Sequence, residues 1–173
     1  MTKFLLSLHV LAAIIAVGPV TVAASMFPPS ARKALAEPGS ERAVAAVRLL
    51  HRICRVYGGV GIAVPVLGFA TAMSMGVLND AWLIVSMLLT ALAAMVLLAL
   101  VLPRQEEILA GIGGTATDSG GTGGTGGTTL DAGTITVDAR ATARLAMFTG
   151  VFNLLWAAVT VLMIVRPGST TGA

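Results

Sequence analysis

Residues 42–76 read RAVAAVRLLHRICRVYGGVGIAVPVLGFATAMSMG, a basic helical lead-in that runs into an uncharged apolar rod. Arg42, Arg48, Arg52 and Arg55 crowd its start, and no charge follows until Asp80. A cationic end on a run of about twenty apolar residues is the pattern of a transmembrane helix with its cytoplasmic end marked. Arg48, His51, Arg52 and Arg55 recur at three and four residues and so share one helical face, which reads as solvated. Tyr57 falls where an interfacial aromatic belongs. Pro65 removes a backbone donor and predicts a kink, and Gly68, Ala72 and Gly76 form a small-residue stripe on which another helix can pack closely.

Three further apolar runs surround this one. The first, Phe4 to Met26, is interrupted by Ser7, His9 and Thr21, and Pro28-Pro29 is expected to stop it. A cleaved signal peptide is the alternative, with Lys3 ahead of the run and Val22-Ala23-Ala24 before Ser25 as its cleavage site. It would leave Arg32, Lys33 and the arginines of the second helix outside, against the positive-inside bias. Ser40 is placed to cap the second helix, with Glu41 in its first turn. Val77 to Asp80 make a short turn into the third helix, an antiparallel partner of the second, with Asn79 or Asp80 as its cap and Trp82 at its interface. Arg52 or Arg55 is then expected beside Glu106 or Glu107. Beyond Pro103-Arg104, the tract GGTATDSGGTGGTGGTT has almost nothing to bury and reads as a disordered tether. It lacks the lysine that a phosphate-binding glycine loop requires. The expected architecture is an all-α four-helix transmembrane bundle. It forms a single integral membrane domain over residues 1–173, with helices at 4–26, 41–76, 81–102 and 139–165 and a flexible loop at 111–130.

Composition agrees with this reading. Of 173 residues 56% are hydrophobic and 11% charged, where soluble domains carry roughly 25% charged residues. The net charge of +3 does not imply a nucleic-acid partner, because the basic residues sit at helix ends and form no continuous face. Cys54, the single cysteine, excludes an intrachain disulfide and a thiolate cluster. The first and third loops hold Arg32, Lys33, Arg42, Arg48, Arg52, Arg55, Arg104, Arg140 and Arg144, and the termini hold Lys3 and Arg166. That asymmetry puts both termini on the extracytoplasmic side and the Gly/Thr-rich loop in the cytoplasm.

Few residues are suited to chemistry. His9 lies six residues after Lys3, about 9 Å along its helix, on a face with Ala12, Ala16 and Ala23. An imidazole turned inward at that depth is either a ligand or a packing group bonded to a backbone carbonyl or to Thr160. His51 belongs to the opposite membrane face, so the two histidines cannot share a metal or a haem. Met73, Met75 and Met87 fall near the level of His9, and imidazole with thioether suits copper(I) or a haem iron. Thr149, Asn153, Trp156 and Thr160 form one polar-aromatic face turned into the bundle, where Asn153 reads as interhelical glue. No pair of buried carboxylates is apparent, and no catalytic residue is assigned.

The opening Lys3-Phe4-Leu5-Leu6-Ser7-Leu8-His9-Val10-Leu11-Ala12, with Ile14-Ile15-Ala16-Val17-Gly18 behind it, resembles a bacterial family of small predicted integral membrane proteins of unknown function. The closing Val165-Arg166-Pro167-Gly168 is similar to that family's ending. The first helix also resembles copper-resistance D-like proteins and membrane protoporphyrinogen oxidases, in which the first-helix histidine is a haem or metal ligand. The resemblance implies a multi-pass protein of the bacterial cytoplasmic membrane that holds haem or copper through His9. A porphyrinogen oxidase-like enzyme and a cofactor-free structural partner subunit are the alternatives. The partners expected are the lipid bilayer and a second copy or another membrane protein.

Overall fold

The computed structural model describes residues 2–37, 39–118 and 132–167, and for 113–118 and 132–139 the backbone alone. The described chain is all-helical: α1 Thr2–Ala36, α2 Glu41–Val60, α3 Ala63–Met75, α4 Ala81–Met95, a π-helical stretch Val96–Val101, α5 Leu102–Asp118 and α6 Ala132–Val165. These make four apolar spans long enough to cross a membrane: Thr2–Ala36, Glu41–Met75, Ala81–Ile112 and Arg140–Val165. The protein is thus a multi-pass helical membrane protein by length and composition.

Pro28-Pro29 does not end the first helix, which continues to Ala36. Proline's fixed φ suits a helix, and its cost is the lost donor and the crowding of the carbonyl four residues back. Here that cost is offset by burial. Phe27 and Ala31 are fully buried and Ala34 nearly so, packed in one core with Ala43 and Val47 of α2 and Leu145 of α6. At 35 residues, α1 is about 52 Å long, so its last turns project beyond a hydrocarbon layer of about 30 Å.

The second span behaves as its sequence predicts. The Ser40 side chain caps α2 by accepting from the Ala43 amide at 3.4 Å. The span breaks between Val60 and Ala63, just ahead of Pro65. Without Pro65 as donor, the Gly61 carbonyl accepts from the Val64 amide at 3.1 Å, and Ile62 donates to Gly59 at 3.2 Å. Two tightened turns therefore replace one regular one. Gly76 closes α3 in the left-handed conformation, at φ 71°, where a Cβ would be strained.

The loop expected at 111–130 is helical at its start, since α5 runs on to Asp118; positions 119–130 lie outside the described residues. The fourth helix begins earlier than 139, at Ala132. Asp80 occupies the cap position of α4 but makes no side-chain cap bond. Its carboxylate instead accepts from the Trp82 indole at 3.0 Å, and Arg166 stacks over the same indole at 5.6 Å. Charge-assisted and cation–π contacts thus tie the turn to the end of α6.

The larger core cluster sits toward the basic end of the bundle, drawing Val20 to Ala34 from α1, Cys54 from α2, Ala93 to Val101 from the third span, and Leu145 and Phe152 from α6. A smaller one, around Ala72, Trp82 and Leu83, lies at the other end. α1 packs against α2, α3 and α6, and α4 packs against α6. The large apolar side chains left on the outside include Ile14, Leu88 and Leu154.

Candidate functional site

His9 is buried at 8% exposure between α1 and α3, as its alanine-lined face predicts: Ala16 and Ala23 are buried on the same side. Its Nδ1 lies 3.0 Å from the Val64 carbonyl oxygen. A carbonyl can only accept, so Nδ1 carries the hydrogen, and in the neutral ring Nε2 keeps its lone pair. The ring packs against Gly68, where a Cβ would meet Cε1 at 2.9 Å, Nδ1 at 3.3 Å and Nε2 at 3.6 Å. The small-residue stripe of the second span thus has a specific occupant, the imidazole of the first. Thr160, the alternative partner, lies on the outer surface and bonds its own helix at the Trp156 carbonyl.

Met73 and Met87 are on the outer surface at 59% and 45% exposure, and Met75 is half-buried. Among the described residues no group of three or more His, Cys, Asp or Glu could hold a metal ion. Of those four residue types, His9 is thus not part of a group of three among the described residues.

His51 is not the solvated residue its basic face suggests. Its side chain is 13% exposed, its Nδ1 lies 3.1 Å from Gln105 Oε1, and Nε2 lies 3.7 Å from a Glu106 carboxylate oxygen. Gln105 is fully buried, and its amide nitrogen reaches Cys54 Sγ at 3.6 Å. The second and third spans do lie side by side at this end, but the histidine, not Arg52 or Arg55, meets the acid. Glu107 is taken by Arg104, one helical turn away, at 2.9 Å. Sequence reasoning missed Gln105. Its three-residue distance from Ile108 and four-residue distance from Val101 on a core-facing stripe was the available signal.

A second polar feature lies between α1 and α6. Ser25, Pro28, Pro29 and Arg32 on one helix face Ala146, Thr149, Gly150 and Asn153 on the other, around a cavity of about 390 Å³. Asn153 is interhelical glue, its amide donating to Ser25 Oγ at 3.2 Å. Its Oδ1, however, is buried without a partner, as is Thr149 Oγ1. Phe152 and Trp156 pack edge to face on the same helix, with ring centres 6.4 Å apart.

Comparison with family models, with curated proteins and with solved structures finds no match.

Proposed function

We propose that this chain is a non-catalytic protein of the bacterial cytoplasmic membrane that holds a haem through Nε2 of His9. The observation that carries this reading is the hydrogen bond from Nδ1 to the Val64 carbonyl. Metal-ligating histidines commonly donate their other ring hydrogen to a carbonyl, which fixes the tautomer and raises the basicity of the coordinating nitrogen. The first-helix likeness to haem- and copper-binding membrane proteins supports the same residue. A single imidazole fits haem better than copper, because a porphyrin brings four nitrogens of its own. Copper(I) needs further soft donors, and Met73 and Met87 face outward. The absorption spectrum and metal content of the detergent-purified protein test the proposal: a Soret band identifies haem, and bound copper without one identifies the ion.

A second reading, a cofactor-free partner subunit, is favoured by the tight seat of the ring on Gly68. In that reading His9 is a clasp between α1 and α3, and its bond to Val64 serves packing alone.

The orientation belongs to the proposal too. Nine basic residues in the first and third loops against two at the ends place both termini outside the cytoplasm under the positive-inside rule. A reporter fused after Ala173 that works only outside the cytoplasm is expected to be active. Strong signal from a cytoplasm-only reporter there contradicts the orientation.

A further inference from the structure

We propose that the cavity between α1 and α6 binds a phosphate ester whose neighbouring groups are hydrogen-bond donors, the chemistry of a glycerol-type phospholipid headgroup. Two bonds between the helices close its ends. Asn153 to Ser25 spans one, at 3.2 Å, and Arg32 Nε to Thr142 Oγ1 spans the other, at 3.4 Å. Ser25 and Arg32 are seven residues apart, about 10 Å along α1, the scale of a headgroup. Volumes of a few hundred Å³ are typical of small-molecule sites, and this open cleft holds about 390 Å³.

The lining sets the ligand's chemistry. Thr149 is 97% buried, leaving 3% exposed, and its hydroxyl has no partner. Asn153 Oδ1 is a buried acceptor with no donor. Pro28 and Pro29 have no amide hydrogen to offer, so the Ala24 and Ser25 carbonyls lose their ordinary helical donors. One wall is therefore rich in acceptors and calls for hydroxyl or ammonium donors. At the other end the Arg32 guanidinium spends its Nε on Thr142, and its two terminal nitrogens have no bond among the described residues. A guanidinium fork of that kind suits a phosphate. After Lys3, charges on α1 resume only at Arg32, so the Arg32 end of the cavity lies at the charged end of the bundle, while the Ser25–Asn153 end reaches into the apolar span.

The full-length chain, purified in a neutral detergent, is offered phosphatidylglycerol, phosphatidylcholine or soluble glycerol 3-phosphate. Retained lipid is read by native mass spectrometry and stabilisation by thermal midpoint. Phosphatidylcholine carries the phosphate but no donor, so it is expected to be retained about tenfold less than phosphatidylglycerol. Arg32→Gln and Thr149→Val are each expected to reduce phosphatidylglycerol retention about tenfold. Without lipid, Thr149→Val should be no less stable than the parent, because the hydroxyl it removes has no partner. Stabilisation by glycerol 3-phosphate alone, lost in Arg32→Gln, supports the same chemistry from a soluble source. Equal retention of the two lipids, or retention unchanged in both variants, overturns the proposal and leaves the cavity to water.

Discussion

Replacing His9 with alanine is expected to reduce bound haem to near zero while leaving the bundle folded. The substitution removes the only histidine in this part of the bundle; His51 is engaged by Gln105 and Glu106 where the second and third spans meet. It also removes one bond between helices, worth about 0.6–2 kcal/mol inside a membrane. The Val64 carbonyl is not orphaned, because the regular pattern of α3 supplies the Gly68 amide as a second donor. Occupancy should thus fall far more than stability. Exogenous imidazole provides the control, since it can fill the space left by the ring and return a nitrogen to the iron. Recovery of the Soret band with imidazole assigns His9 as the ligand. A cofactor-free clasp behaves differently: no haem in the parent, and only the modest stability loss in the variant.

Gly68→Val should produce the second large effect, from the opposite helix. A Cβ at position 68 would lie 2.9 Å from His9 Cε1, closer than two carbons can approach. One of the pair must move. Overpacking of this kind typically costs about 1–3 kcal/mol, and the cheapest relief is to swing the imidazole off the Val64 carbonyl. That frees Nδ1, loosens the tautomer and tilts the coordinating nitrogen. The expected outcome is a lower thermal midpoint together with weakened or lost haem, although residue 68 carries no ligand atom. The double variant His9→Ala/Gly68→Val should regain much of the lost stability, because the added methyl groups then enter the space the ring vacated. Additive losses in the double variant would contradict the direct contact.

Much of this arrangement is legible in the sequence, and the parts that are not have physical causes. His9 with Ala16 and Ala23 marks a buried face because spacing alone decides which residues share a helical side. The break before Pro65 and the Ser40 cap follow from donors that are absent or supplied by a neighbouring side chain, both local matters. Pro28-Pro29 misleads because a proline's local penalty is only one side of the balance. The burial of Phe27, Ala31 and Ala34 against α2 and α6 decides the outcome and depends on helices elsewhere in the chain. Gln105 is hidden by its company, since Arg104, Glu106 and Glu107 make the segment read as solvated. The cavity between α1 and α6 is built by residues more than a hundred positions apart, as the Ser25–Asn153 bond shows. Composition carries no trace of such a pairing. Asn153 could be recognised as glue, but not as a residue with one buried oxygen left over.

Whether Nε2 of His9 holds a haem is decided by the haem content per chain of the purified protein. Parent and His51→Ala are expressed with haem precursor and copper supplied, and each is assayed for Soret absorbance, iron and copper. A Soret band and bound iron are expected in both, with His51→Ala matching the parent. A parent that carries neither haem nor metal contradicts it and leaves His9 as the clasp between α1 and α3.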